Sequence, residues 1–286
     1  MQLKLTIKFM SVRALAFAAA LALSAGVQPA SATPRPLPFS YPHATLFEGE
    51  TELEQYVDLI PVRVAREDDD GTRAVTSVRS ELVTEFEYGV TDRLELGLYL
   101  EFRQSASANT PAMRFQGVKQ RLRYRFADEG EWPIDVGVYG EIAEFHNEFE
   151  FEQKLLLSKR LGRVGLVTNL WVEQEWYFQT EEWKYLYNPT AAVTFEITPS
   201  VVVGAEYWAH GRFDEVEDAA STTENETLVD VSGTRHYLGP TLMLQGGGNF
   251  VALAPYFRLD SLGDRLEPGD PWGKVWFRML IGIGLH

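Results

Sequence analysis

From Leu94 to Arg103 apolar and polar side chains alternate without a break. Leu94, Leu96, Leu98, Leu100 and Phe102 share one parity; Glu95, Gly97, Tyr99, Glu101 and Arg103 share the other. An extended strand sends successive side chains to opposite faces, so this stretch has one wholly apolar face and one charged face. Its length is that of a tilted strand crossing a bilayer, about 9–11 residues.

The pattern recurs along the chain, and about twelve strands can be counted by alternation. The first runs near Thr51 to Val64, weakened toward its end by Pro61, which cannot donate to a ladder. The second sets Phe86 and Tyr88 against Glu85 and Glu87. The fourth sets Leu122 and Tyr124 against Lys119, Arg121, Arg123 and Arg125, and the fifth sets Val136 and Val138 against Asp135, Tyr139 and Glu141. The sixth and seventh place Glu150, Glu152, Glu173 and Glu175 on the polar parity, the eighth runs through Asn188, and the ninth aims Glu206, Trp208 and His210 inward. Strands ten and eleven, near Leu238–Leu244 and Val251–Leu259, carry few charges. The twelfth regains the pattern, with Phe277, Met279 and Ile281 against Trp276 and Arg278.

Connections alternate between short turns, such as Gly89–Arg93 and Gly246–Asn249, and more polar loops, the longest from Gly211 to Arg235. Aromatic residues band at both strand ends: Tyr88, Tyr124 and Phe126 near short turns, Phe149, Trp176, Phe178, Trp183 and Tyr185 near the loops. Outer-membrane barrels have short periplasmic turns, longer outer loops and two aromatic girdles. A soluble β-sandwich would turn its apolar face into a core and has no reason to band aromatics at both ends. The expected fold is all-β: a transmembrane antiparallel β-barrel of about 12 strands over residues 50–286, with both termini periplasmic.

The N-terminal segment supports export. Lys4, Lys8 and Arg13 precede an apolar run from Ala14 to Leu23, and Ala30-Ser31-Ala32 offers small residues for cleavage, so residues 1–32 read as a removable signal peptide. The apolar run is too short for a spanning helix. Losing residues 1–32 removes three basic residues and no acidic one, so the net charge of −15 becomes −18. Such a balance argues against nucleic acid, whose phosphates are neutralised by Lys and Arg. The chain has no cysteine, hence no disulfide framework or thiolate metal site. Residues 33–49 hold Pro34, Pro36, Pro38 and Pro42 and read as an extended segment, either a periplasmic arm or a plug folded into the barrel.

With the export signal and the alternating segments, the turn and strand Gly89-Val90-Thr91-Asp92-Arg93-Leu94-Glu95-Leu96-Gly97 resembles Gram-negative outer-membrane barrels of the group named for phenol meta-pathway degradation (MetA-type, transporter-like). The resemblance implies residence in the bacterial outer membrane and passage of small or hydrophobic compounds. One departure stands out: such barrels usually end on an outward aromatic, whereas this chain ends Leu285-His286.

The strongest charge feature is the inward row Lys119, Arg121, Arg123 and Arg125, flanked by Glu95 and Glu101 on one neighbouring strand and Asp135 and Glu141 on the other. It reads either as a ladder orienting a charged solute or as a salt-bridged network stiffening the wall. With Glu173 and Trp208, these are the candidate pore-lining residues. The acidic set Glu150, Glu152, Glu173 and Glu175 could meet cations, and His146 with Glu144 and Glu148 could weakly hold a divalent ion. Tyr56, Tyr99, Tyr139, Trp171, Tyr177, Tyr256 and Trp276 also face inward, as a slide for solutes or as plain filling.

Twelve strands give a backbone diameter of roughly 24 Å and, after side chains, about 10 Å of free width. A change at outward Leu98 is expected to cost more than one at lumen-facing Tyr99. No serine and histidine arrangement suggests a lipid hydrolase, so no enzyme activity and no cofactor are expected. The expected function is a passive channel for small solutes. The alternative is a closed barrel that binds at the cell surface through acidic outer loops, chiefly Asp214 to Asp230. Expected partners are outer-membrane lipid and lipopolysaccharide, the barrel assembly machinery and a small solute.

Overall fold

The computed structural model describes residues 34–68, 71–106, 112–213, 220–223, 226–229, 233–263, 266 and 268–285. The signal peptide and His286 lie outside them, as does most of the acidic stretch Asp214 to Asp230. Of that stretch only the backbone of a small hairpin is described, and no ion pair of its side chains.

The strands are β1 (Thr51–Asp68), β2 (Gly71–Thr91), β3 (Leu94–Gln104), β4 (Met113–Arg125), β5 (Asp135–Phe145), β6 (Glu148–Leu161), β7 (Val164–Tyr177), β8 (Glu182–Tyr187), β9 (Thr190–Thr198) and β10 (Val201–Arg212). They continue with β11 (Ala220–Thr223) and β12 (Glu226–Val229) of the loop hairpin, then β13 (Arg235–Gly246), β14 (Asn249–Arg258) and β15 (Val275–Leu285). All wall pairings are antiparallel, each strand joins its neighbour in sequence, and β1 pairs with β15, closing the sheet. The segments β8 and β9 are two halves of one wall strand, so the barrel has 12 strands.

That break was not expected. Pro189 follows Asn188 at the joint and has no N–H for a ladder. The wall is nonetheless carried across it, because Asn188 N–H donates to Trp171 O (3.0 Å) and Ala209 N–H donates to Pro189 O (3.1 Å). β1 also runs past Pro61 to Asp68, further than the sequence suggested. With 18 and 21 residues, β1 and β2 exceed the length needed to span and form a hairpin reaching beyond the other strands.

The alternation sorts the faces as expected. Leu96, Leu98, Leu122, Val138, Leu155, Leu170 and Val193 are exposed on the outer wall, while Glu54, Glu85, Glu95, Arg121, Tyr139 and Asn169 are buried inside. Exposed aromatics gather at both ends: Tyr88, Tyr124, Phe126 and Trp132 at the turn end, Phe115, Phe178, Trp183 and Tyr185 at the loop end.

The inside is uneven. The wall from β1 to β7 is charged. That from β10 through β13 to β15 is mostly apolar and aromatic, with Val202, Trp208, Tyr237, Met243, Phe250, Ala252, Ala254, Tyr256, Trp276 and Leu280 all buried.

The lumen is occupied. Residues 34–46 lie inside the barrel, with Arg35, Leu37, Ser40, His43, Thr45 and Leu46 each no more than 3% exposed. The chain leaves the lumen at Phe47 and turns into β1 through Gly49, whose φ of +83° favours a residue without a Cβ. Gly49 N–H donates to Gly89 O (2.8 Å), tying this exit to the β2–β3 turn. The expected free width counted only the wall, and the arm takes up that space.

The occupied lumen also corrects the comparison of Leu98 with Tyr99. Tyr99 is buried, with its hydroxyl 3.4 Å from those of Tyr41 and Tyr139. A charge there would enter a packed interior, not a watery bore, so Tyr99→Arg is not the milder change. On the outer face, Leu98→Arg is expected to cost about 2–4 kcal/mol if near the bilayer midplane, whereas Leu98→Phe leaves stability nearly unchanged. Denaturant titration of the protein folded into lipid vesicles measures both.

Candidate functional site: a charged hub and an occupied lumen

The inner wall is organised around Arg121. Its Nη2 lies 2.7 Å from Glu85 Oε1 and 2.8 Å from Glu95 Oε1, and it also meets Glu87. β4 supplies the cation, while β2 and β3 supply the carboxylates, so one guanidinium ties three strands. The approach depends on Gly97, which sits opposite Arg121 in the β3–β4 register. A Cβ at Gly97 would lie 2.6 Å from Arg121 Nε and 2.9 Å from Glu85 Oε1. Glycine at this inward position lets the long side chain cross β3 and reach β2.

The rest of the row is paired as well. Arg123 contacts Glu95 (2.8 Å), and Lys119 contacts Glu101, Glu141 and Glu150 at 3.3–3.8 Å. Arg125 meets Asp128 (3.3 Å) and donates to Asp92 O (2.8 Å).

All ten candidate residues lie on the inner face, but their partners differ in part from the expected flanks. Asp135 accepts from Gly130 N–H (2.7 Å) instead of joining an arginine of the row. Glu85 and Glu87 carry pairings that sequence reasoning missed, since they lie two strands from Arg121 and only the gap at Gly97 signals the reach. Glu173 accepts from Asn188 Nδ2 (2.9 Å).

The arm is bound along its length by the wall. Arg35 donates to the Tyr56 hydroxyl (2.7 Å), lies 3.4 Å from Glu54, and stacks over Tyr41 at 4.1 Å. Glu206 accepts Ser40 N–H (2.5 Å) and Phe39 N–H (3.2 Å), and also receives the Tyr256 hydroxyl. Asn169 reads the Tyr41 backbone at both ends, accepting its N–H (2.7 Å) and donating to its carbonyl (2.8 Å). Ser158 accepts from His43 N–H (3.0 Å) and Glu95 from Leu46 N–H (2.7 Å).

Phe39 enters an aromatic box. Its ring stacks on Trp208 (4.4 Å, 25°), meets the edges of Tyr256 (5.1 Å) and Trp276 (5.7 Å), and has the Arg278 guanidinium 3.8 Å away. Trp208 in turn stacks on Tyr237 (4.2 Å, 7°). Tyr237 is fully buried inward and belonged to no expected set.

Among the described residues two carboxylate groups converge closely enough to share a cation, Glu52 with Glu54 and Glu87, and Glu150 with Glu173 and Glu175. The second overlaps the expected acidic set; the His146 group does not appear. His210 faces inward against Trp272 (4.2 Å) and Asn188, whereas His236 faces outward to the Tyr207 hydroxyl (2.7 Å), as their parity required.

A closed barrel with an apolar outer belt, aromatic girdles and a polar interior is an outer-membrane β-barrel, and its place is the bacterial outer membrane. The fold is similar to that of an outer-membrane channel from Pseudomonas putida F1 described as COG4313. The TM-score is 0.58 at 11% identity, over 85% of this chain and 98% of that one. It is also similar to the NanC porin, with TM-score 0.52 and 7% identity over 80% and 100% of the two chains. No family model matches the sequence, and no curated protein matches it.

Removing the shared cation should be costly. Arg121→Leu leaves Glu85, Glu87 and Glu95 facing one another in a buried space, a loss of about 3–5 kcal/mol for breaking such a set. Glu85→Gln in the same chain should recover part of it. Equilibrium unfolding of the single and double variants in vesicles reads the difference.

Proposed function

We propose that this chain is a passive outer-membrane channel for small solutes whose lumen is held shut by residues 34–47, an intramolecular plug. The carrying observation is how the arm is held. It is no strand of the wall; it is bound by side chains, chiefly Glu206, Asn169, Ser158 and Glu95, that each take one or two of its backbone groups. Such contacts can be released without opening the barrel. The even strand count sets both ends of the barrel on one side, and in this reading that side, with the short turns, is the periplasm, from which the arm enters.

In this reading the ten inner residues line the path once the arm withdraws. Arg121 and Arg123, buried in ion pairs, act as ties of the wall, and Lys119, less deeply buried, is the cation of the row that a solute meets. The family reading, the group named for phenol meta-pathway degradation, rests on residues 89–97 and on the barrel pattern. Lipid and lipopolysaccharide around the belt and the barrel assembly machinery are the proposed partners.

Single-channel recording in a planar bilayer tests the proposal. The full mature chain should be silent or open briefly, and a form lacking residues 33–49 should conduct steadily. Glu206→Gln with Phe39→Ala should fall between them. Silence from both the full and the shortened forms, with folding verified, would support the closed surface-binding barrel instead.

The arm should also respond to pH. His43 is buried and neither ring nitrogen has a hydrogen-bond partner, so burial holds its pKa below the ordinary imidazole value. The docked arm therefore favours neutral His43, and the released arm takes up a proton more readily. Docking is at full strength above the released value, about 6.5, and is lost as pH falls from there toward the lowered one. Opening frequency of the full chain should rise on acidification through this range, and His43→Phe should remove that rise.

A further inference from the structure

Among the described residues, one seam of the wall loses three successive ladder pairs with no backbone hydrogen bond bridging them. β13 and β14 pair at Tyr237↔Arg258 and Leu238↔Phe257 and again from Leu242↔Leu253 onward, in an unchanged register. The three positions between are unpaired, and the central one sets Pro240 directly opposite Pro255. Each proline keeps its place against its other neighbour, Pro240 with Ala205 and Pro255 with Phe277. Their hydrogen-bonding edges therefore face each other across the β13–β14 seam. In an antiparallel ladder such a pair would exchange both N–H···O bonds, and here neither residue has an N–H to give. Losing those two bonds also unpairs the positions on either side. The joint at Pro189 differs, since backbone bonds bridge it.

What lies on the two sides of the seam gives it a direction. Inside, its small residues Gly239 and Ala254 sit beside Tyr237 and Tyr256, which belong to the same aromatic cluster as Trp208. Trp208 Nε1 and Thr241 Oγ1 are buried here without a hydrogen-bond partner. Outside, Leu238, Leu242 and Phe257 are exposed on the lipid face. The axial route beyond the box is blocked by Phe39 and bordered by ion pairs, so for an uncharged molecule the sideways route is the apolar one. The two strands still touch here, since a Cβ at Gly239 would lie 2.0 Å from Pro255 O. The seam is therefore closed in this conformation, and three residue pairs, roughly 10 Å of wall at about 3.4 Å each, would have to part for it to open.

We propose that the β13–β14 seam is a lateral gate, a closed but unladdered stretch of wall that parts to let small apolar solutes pass between the aromatic box and the lipid phase without displacing the plug. The proposal rests on the channel reading above and extends it to a second route for a different class of solute.

The chain lacks cysteine, so a disulfide can be placed cleanly. Thr241 and Ala254 are opposed by register, both face inward, and their non-hydrogen-bonded spacing suits a cross-strand bridge. The test measures uptake of N-phenyl-1-naphthylamine by Gram-negative cells carrying the full chain, since the lipopolysaccharide layer excludes this probe and it fluoresces on reaching lipid. Uptake should exceed that of cells without the protein. It should fall to their level when Thr241→Cys with Ala254→Cys is oxidised, and return on reduction. Pro240→Val with Pro255→Val restores both N–H donors and should lower uptake with no disulfide present.

Equal uptake by the locked, repaired and unaltered forms overturns the proposal and assigns the probe to the axial path. No uptake by any form overturns it too. The channel reading is judged separately, by ion conductance of the form lacking residues 33–49, which the locked seam should leave unchanged.

Discussion

Hydrocarbon offers no partner for an amide or a carbonyl, so a sheet that crosses it must satisfy every edge, and the only complete solution is to close. In this chain closure is made by β1 against β15, with nine opposed residue pairs from Thr51↔Leu285 to Leu59↔Phe277. The rest follows from it. Once the sheet is a cylinder, one parity of every strand is committed to lipid and the other to a confined interior. That confinement is why the inner charges must be matched so closely. Arg121 serves three glutamates because those carboxylates have little water to turn to. At β13–β14, alone among the described wall seams, two prolines face each other and the ladder loses three successive pairs.

The confined interior is divided. The β1–β7 side is a network of charges that fix strand to strand, and the β10–β15 side is a wall of rings and small aliphatic groups. The arm bridges them, with Arg35 among the acids and tyrosines of one side and Phe39 among the rings of the other. Each of these two side chains therefore has partners of its own chemistry. This explains how a proline-rich segment with no ladder of its own can hold a defined path.

Much of the barrel could be read from residues alone. A period of two is a local signal, and Leu94 to Phe102 shows both its faces within a single strand. The inward orientation of Lys119, Arg121, Arg123, Arg125, Glu173 and Trp208 follows from the same parity. What parity does not contain is the third dimension of the lumen. Glu85 reaches Arg121 across an intervening strand, and nothing in either strand announces that except the missing side chain of Gly97. Asn169 and Glu206 looked like ordinary polar wall residues because their partners are backbone groups of a segment more than a hundred residues earlier. Pro189, Pro240 and Pro255 were visible as letters, but only register shows that the first is bridged and that the other two confront each other.

The seat of Phe39 is assembled from β10, β14 and β15, the last of which closes the barrel on β1. Its walls come from the opposite end of the chain, so the seat does not exist until the final strand has arrived. Phe39 lies near the start of the chain, yet one of the rings that hold it, Trp276, belongs to the last strand. The order of synthesis is thus the reverse of the order of need, because the ring made early has its full set of neighbours only when the strand made last is in place.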